Sequence, residues 1–321
     1  MCVLAAVALA GQAGSASAAQ VQAPVTRTVV KASTDTADFV RGDKAVGRSK
    51  DRVKTFLDDE ARRGRLVRTK DVTVVRTDLP DGAGQAMLVT KGEPAEVQFL
   101  SRPATSTEPA GFGVVVGGTD SDDVTSSTGG LPADAVVSSS GMTKRGGGCR
   151  TVWWDNPWSA NDNKLVTCYE KWQAPGTRNW VYNRWALADP AKGNITDFTI
   201  RSRPWSGTEG RMDTLDNWAP KPSQSCNNGA SATLGYGGAS VTVPYIYCSS
   251  KIEIYPDSNS NSMGTGWYGS TSDQLQIDFA MAARTYNSSQ ELTYADYAWL
   301  TTRLCGNACQ YDNDKYTDPG W

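Results

Sequence analysis

The chain contains no histidine, and that absence decides most of the chemistry open to it. Ser-His-Asp and Cys-His catalysis, imidazole general bases and histidine-ligated zinc or copper are all excluded. Carboxylate chemistry, Ser/Lys arrangements and simple binding remain. In the run WSGTEGRMDTLDNW, Glu209, Asp213 and Asp216 lie between Trp205 and Trp218. Two carboxylates beside aromatic surface can separate in pKa into an acid and a base, as glycoside hydrolysis requires. The plainer alternative is a solvated polar loop with Arg211 as ion partner. Glu170 is the fourth candidate catalytic residue. It shares a strand face with Val166 and Trp172, so it is either buried and paired, with Arg184 as the candidate partner, or faces a cleft.

Binding chemistry has a larger supply. There are 11 tryptophans, and none precedes Trp153. Indoles stack on the C–H faces of sugar rings, and Asn and Asp side chains hydrogen-bond the hydroxyls. Trp153, Trp154, Trp158, Trp180, Trp185 and Trp205 are the candidate ligand-binding residues, interleaved with Asn156, Asn161, Asp162, Asn163 and Asn183. Consecutive Trp153 and Trp154 on a strand point to opposite faces, so one is expected outside the core. Indole filling of a β-domain core is the alternative for the others.

Of the 7 cysteines, Cys2 belongs to a leader, and the rest fall between Cys149 and Cys309. An even number in an exported chain implies disulfides. Proximity favours Cys149 with Cys168, Cys226 with Cys248 and Cys305 with Cys309, and each of the two larger loops should contribute about 3 kcal/mol. With one CxxxC and no histidine, no metal site is expected. The run LGYGG lacks a following helix or Lys-Ser/Thr, so no phosphate site and no cofactor is expected either.

The elements that must position these residues divide the chain. Residues 1–18 read as a signal peptide: a short apolar core from Val3 to Ala10, then Ala16-Ser17-Ala18. The basic residues that should precede such a core are missing, so the natural start is expected upstream of Met1. Residues 19–40 are an extended or disordered lead-in. Residues 41–116 form a small α+β unit. Its helix is capped by Ser49, buries Val53, Phe56, Leu57 and Ala61, and turns a mixed charged face from Lys50 to Arg63 towards solvent. Residues 117–148 are a Gly/Ser/Thr-rich linker. The dibasic Lys144-Arg145 within it offers a cleavage site that would make the α+β unit a pro-domain.

Residues 149–321 read as a disulfide-bonded, jelly-roll-like β-sandwich. The period-two runs Lys164 to Trp172 and Gln274 to Arg284 are its clearest strands, Gly237-Gly238 makes a hairpin, and a terminal helix runs from Thr293 to Leu304. A net charge of -2 argues against nucleic acid as partner, and no apolar run is long enough to span a bilayer. These features together predict a secreted, tryptophan-rich β-domain that binds carbohydrate or cell-envelope polymer. A carboxylate-dependent hydrolase or toxin activated by cleavage is the first alternative, and a protein-binding inhibitor module is the second.

Overall fold

The computed structural model describes residues 26–31, 39–62, 65–79, 84–94, 96–102, 111–117, 138–205, 207–220, 231–244, 252–305 and 309–318. The chain starts with strands β1 (Thr26–Lys31) and β2 (Phe39–Arg41), then helix α1 (Arg48–Arg62). Strands β3 (Val72–Asp78), β4 (Gln85–Lys91), β5 (Glu96–Arg102) and β6 (Gly111–Gly117) follow. After β7 (Ser138–Ser140) come the long strands β8 (Thr143–Asp155), β9 (Asp162–Gln173), β10 (Asn179–Asp189) and β11 (Asn194–Pro204). Next are β12 (Met212–Ala219), β13 (Ser231–Tyr236), β14 (Ala239–Pro244) and β15 (Ile252–Ile254). The last are β16 (Met263–Thr271), β17 (Leu275–Thr285), β18 (Tyr294–Cys305) and β19 (Cys309–Asp318).

Two eight-stranded sheets hold most of them. The first runs β1-β5-β6-β19-β18-β11-β16-β15, and the second β12-β17-β10-β9-β8-β4-β3-β2. They pack face to face as a sandwich. Phe99, Phe112, Phe198, Ile200, Ala298 and Leu300 of the first sheet meet Leu165, Tyr169, Tyr182, Ile277, Phe279 and Met281 of the second in one buried cluster. Burying a side chain of this size contributes about 1.5–3 kcal/mol.

One charged cluster crosses this core. Arg184 on β10 and Asp296 on β18 are both buried, with Nε 2.9 Å from Oδ2. Tyr182 Oη donates to the same carboxylate at 2.8 Å, and Ser202 Oγ donates to its other oxygen. Burial pushes the Asp296 carboxyl above its ordinary range, and the adjacent Arg184 charge only partly offsets this.

The outer face of the second sheet is covered as well. Helix α1 lays Val53 and Phe56 over Val72, Val74, Met87, Val89 and Trp153. A three-stranded sheet, β13-β14-β7, covers Trp172, Val181, Ala280 and Ala282 with Leu234, Val241 and Val243. Between these two covers lie the Cys149–Cys168 disulfide and Trp185, with Arg65 set against both. Both faces of β9 are therefore buried, although its sequence alternates as a half-exposed strand would.

Several sequence expectations change on this evidence. The unit at 41–116 is not a separate sheet: β4 pairs with β8, and β6 pairs in parallel with β19, so strands from before and after residues 117–148 share both sheets. Of the lead-in expected to be extended or disordered, residues 26–31 are extended, as β1 paired with β5. Lys144-Arg145 lies inside β8, not in a flexible linker, and Lys144 Nζ donates to Glu170 while Arg145 Nε donates to Gln173 at 3.0 Å.

The charged face of α1 is not all solvated. Asp59 and Glu60 are buried, held by Lys164 and Arg65, and Arg52 reaches Asp162 at 2.7 Å. The terminal helix is strand β18, because Tyr297, Trp299, Thr301 and Arg303 alternate with buried Ala298, Leu300 and Thr302. Aromatic and β-branched residues favour that extended form. The Gly237-Gly238 hairpin forms as read, with φ of 53° and 94°. Residues 1–25, 118–137, 226 and 248 lie outside the described residues.

Candidate ligand-binding cleft

The outer face of the first sheet is where unburied chemistry collects. Along β11, Phe198, Ile200 and Ser202 point into the core, so Asp197, Thr199, Arg201 and Arg203 must point out. Register then sets their neighbours. Thr199 lies opposite Trp299 on one side and Gly266 on the other, and Glu253 lies opposite Gly266. One row across the sheet thus reads Trp299, Thr199, Gly266, Glu253. The flanking rows hold Tyr297, Arg201 and Gly264, then Thr301, Asp197 and Tyr268.

Gly266 leaves room for Tyr255 to lie over the sheet: a Cβ there would sit 2.8 Å from Thr199 Oγ1 and 3.1 Å from the Tyr255 ring. Beside it is a cleft of about 670 Å³, lined in part by Asp197, Thr199, Arg201, Tyr255, Asp257 and Trp299.

Its polar groups fall into two sets. Tyr255 Oη donates to Glu253 Oε2 at 2.8 Å with the Tyr268 hydroxyl 3.1 Å away, and Thr199 Oγ1 donates to Asp197 Oδ1 at 3.3 Å. Burial pushes the Asp197 carboxyl above its ordinary range. The hydrogen bond from Thr199 and the nearby Tyr268 hydroxyl pull it back, and the charge of Glu253 raises it further. Burial likewise pushes the Tyr255 hydroxyl well up, so it stays a neutral donor. At the other end, Arg201 donates to Ser262 Oγ at 2.9 Å and lies 4.0 Å from Asp257. Beside the cleft, Tyr297 and Trp299 are stacked with centroids 5.7 Å apart, and the Arg203 guanidinium sits 4.7 Å over the Tyr297 ring. Flat aromatic surface beside carboxylates and hydroxyls can hold a ring that is apolar on its faces and polar at its rim.

The residues singled out from sequence fall elsewhere. Trp153, Trp154, Trp180 and Trp185 are buried at 2%, 2%, 2% and 8% exposure, which removes them as a binding surface. Trp153 and Trp154 do point to opposite faces, but helix α1 covers one and the opposing sheet the other. Trp158 and Trp205 are half-buried and outside the cleft lining; Trp158 lies against Gly193, whose φ of +91° lets the backbone pass under the indole.

The four candidate carboxylates are dispersed among separate partners. Glu170 bonds Lys144 rather than Arg184. Glu209 is exposed and accepts from Gly207 N at 2.6 Å. Asp213 pairs with Arg178 at 3.1 Å. Asp216 takes two hydrogen bonds from Arg284, at 2.8 and 2.9 Å, and one from Tyr236. Burial acts to raise its carboxyl, but these donors outweigh that and hold it below the usual range. Of the expected disulfides, Cys149–Cys168 is present, and Cys305 is disulfide-bonded with Cys309 as its register partner.

In MGTGWYGST, Gly264 and Gly266 alternate with Thr265 and Trp267, a pattern that leaves room on one face of the strand for Tyr255 to pack. The helical reading of residues 293–304 hid Trp299 on the neighbouring strand.

No family model matches the chain, and no curated protein matches it. Among solved structures, it is similar to the collagen-binding domain of a Staphylococcus aureus adhesin at 12% identity, over 43% of this chain and 87% of that one, with a TM-score of 0.23. A pore forming protein is similar at 8% identity, over 68% and 90%, with a TM-score of 0.24. Clostridium perfringens delta-toxin is similar at 7% identity, over 76% and 89%, with a TM-score of 0.22. Superpositions this loose carry nothing about ligand or role.

Proposed function

We propose that this is an exported β-sandwich protein that binds a carbohydrate or cell-envelope polymer along the outer face of its first sheet. The cleft bounded by Trp299, Tyr255 and Asp197 carries the reading: it pairs aromatic surface with hydrogen-bonding groups on a rigid sheet. Export is supported by the leader-like start and the Cys149–Cys168 disulfide. The hydrolase alternative is weakened because Glu170, Asp213 and Asp216 are each engaged by a separate cation and the fourth acid, Glu209, is exposed on its own loop. A protein-binding role through SGTEGRMD has no comparable cleft in its favour.

The test is retention of the full chain on insoluble polysaccharides, peptidoglycan included, comparing wild type with Trp299→Ala and Tyr255→Ala. Retention that falls roughly tenfold in both variants is expected, about the loss of one aromatic contact made on binding. No retention on any polymer, or retention unchanged in both folded variants, would overturn it.

A further inference from the structure

We propose that this site takes an acidic glycan and that Arg203 reads the acid: a sugar carboxylate docks on the Arg203 guanidinium while a neighbouring ring stacks at Trp299. This rests on reading the cleft as a sugar site. A stack of planar groups joins the two points. Trp299 lines the cleft. Tyr297 stands two residues back on the same face of β18, its ring 11° from parallel with the indole and 5.7 Å from it between centroids. The Arg203 guanidinium then sits 4.7 Å from the Tyr297 centroid. Together they make a flat shelf that runs from the cleft towards the end of β11.

The shelf also fixes the guanidinium. Attraction to the negative face of the tyrosine ring holds the cation in place, and its N–H groups, lying in its own plane, form a fork that matches a carboxylate with two hydrogen bonds. Arg203 is exposed, and among the described residues it makes no ion pair. A pre-positioned fork with no anion on it is the part of the shelf that a neutral sugar would leave unused.

Charge is spread unevenly along this face. At about 3.3 Å per residue, Asp197 lies about 20 Å down β11 from Arg203. That is more than twice the screening length of about 8 Å at physiological salt. Arg201, by contrast, is two positions from Arg203 on the same face, opposite Tyr297. Its carboxylate neighbour Asp257 is 4.0 Å away and already accepts from Asn259 N, Ser260 N and Ser260 Oγ. Two guanidiniums against one acid leave this end positive, so an acidic ligand is steered to it and away from Asp197.

The deciding experiment is calorimetric titration of the full chain with oligogalacturonate and with its methyl ester of equal length, at neutral pH and low salt. Esterification keeps the ring and removes the charge. The acid form should bind about tenfold more tightly, about the worth of one charge-assisted contact. Arg203→Gln should bring the acid form down to the affinity of the ester, whereas Arg203→Lys, which keeps the charge and loses the fork, should retain part of the preference. Added salt should shrink the preference in the wild type, which tests the same claim without a variant. Equal affinities, tighter binding of the ester, or a preference unchanged in folded Arg203→Gln would overturn the proposal and leave the sugar site standing. Retention on neutral polysaccharides with neither oligomer bound would overturn it too, as would polyglutamate competing as well as oligogalacturonate, since charge alone would then be read. Binding of neither oligomer, with no retention on any polysaccharide, would sink the underlying reading as well.

Discussion

Arg184 Nε lies 2.9 Å from Asp296 Oδ2, with both side chains essentially sealed from solvent between the two sheets. The sequence suggests Glu170 as the partner of Arg184, and nothing in it links Arg184 to Asp296, 112 residues further on. Their cost and value appear only once the sheets are stacked. A buried ion pair holds best when its other hydrogen bonds are also made: Tyr182 and Ser202 donate to the Asp296 carboxylate, and Arg184 Nη1 donates to the Trp185 carbonyl at 3.0 Å.

Removing one charge should therefore be far worse than removing both. Asp296→Asn leaves the Arg184 guanidinium without a counterion and should cost about 3–5 kcal/mol in urea unfolding, whereas Arg184→Met with Asp296→Leu should cost much less. Single and double variants that lose the same stability would contradict this account.

Tryptophan variants separate core from surface. Trp153→Ala removes an indole that α1 covers and should lower stability by about 3–5 kcal/mol, with polymer retention unaffected in whatever fraction stays folded. Trp299→Ala should do the reverse: a stability change within about 1 kcal/mol and a large loss of retention. Paired thermal melts and binding assays read both.

Asp216 makes the acid side of the stability curve informative. Its folded-state carboxyl titrates below its ordinary value, so the folded state holds the proton less tightly than the unfolded chain. The stability it contributes is present above about pH 4, the unfolded carboxylate pKa, and is lost as pH falls through the lower folded value. Asp216→Asn should thus be less stable than wild type near neutrality, by up to about 1 kcal/mol for so accessible a pair. The gap should close in acid. A gap that widens below pH 4 in chemical denaturation would reverse the assignment.

The dibasic pair gives a test by limited proteolysis. Lys144 and Arg145 are held in β8, with side chains bonded to Glu170 and Gln173, and a protease needs an extended, unpaired segment. Trypsin should leave the Arg145–Gly146 bond intact in the native protein and cut it after denaturation. If a nick does occur there, gel filtration without denaturant should still find the two pieces together, because β4 with β8 and β6 with β19 join them.

What could be read from the sequence was period and pairing. The alternation of residues 164–172 and 274–284 produced β9 and β17, and the nearness of Cys149 to Cys168 produced their disulfide. What could not be read was what covers each face. Trp153 and Trp172 alternate with outward positions of a strand, yet α1 and the β13-β14-β7 sheet lie over them, and those contacts join residues far apart in the chain. The burial of Trp153, Trp154, Trp180 and Trp185 has the same cause. Tryptophan number marks where the core is richest, whereas the cleft depends on β18 being a strand that sets Trp299 beside Thr199 of β11.

The parallel contact between β6 and β19 has a consequence for biosynthesis. In the first sheet, β19 is the element that joins β1-β5-β6 to β18-β11-β16-β15, and it follows every other described strand in the chain. Until it emerges from the ribosome, two bare hydrogen-bonding edges stay open, which is an invitation to aggregate. A nascent chain of this design gains by remaining unfolded in the hands of a holdase and closing its sheet late, which is also the condition in which a polypeptide can be threaded across a membrane.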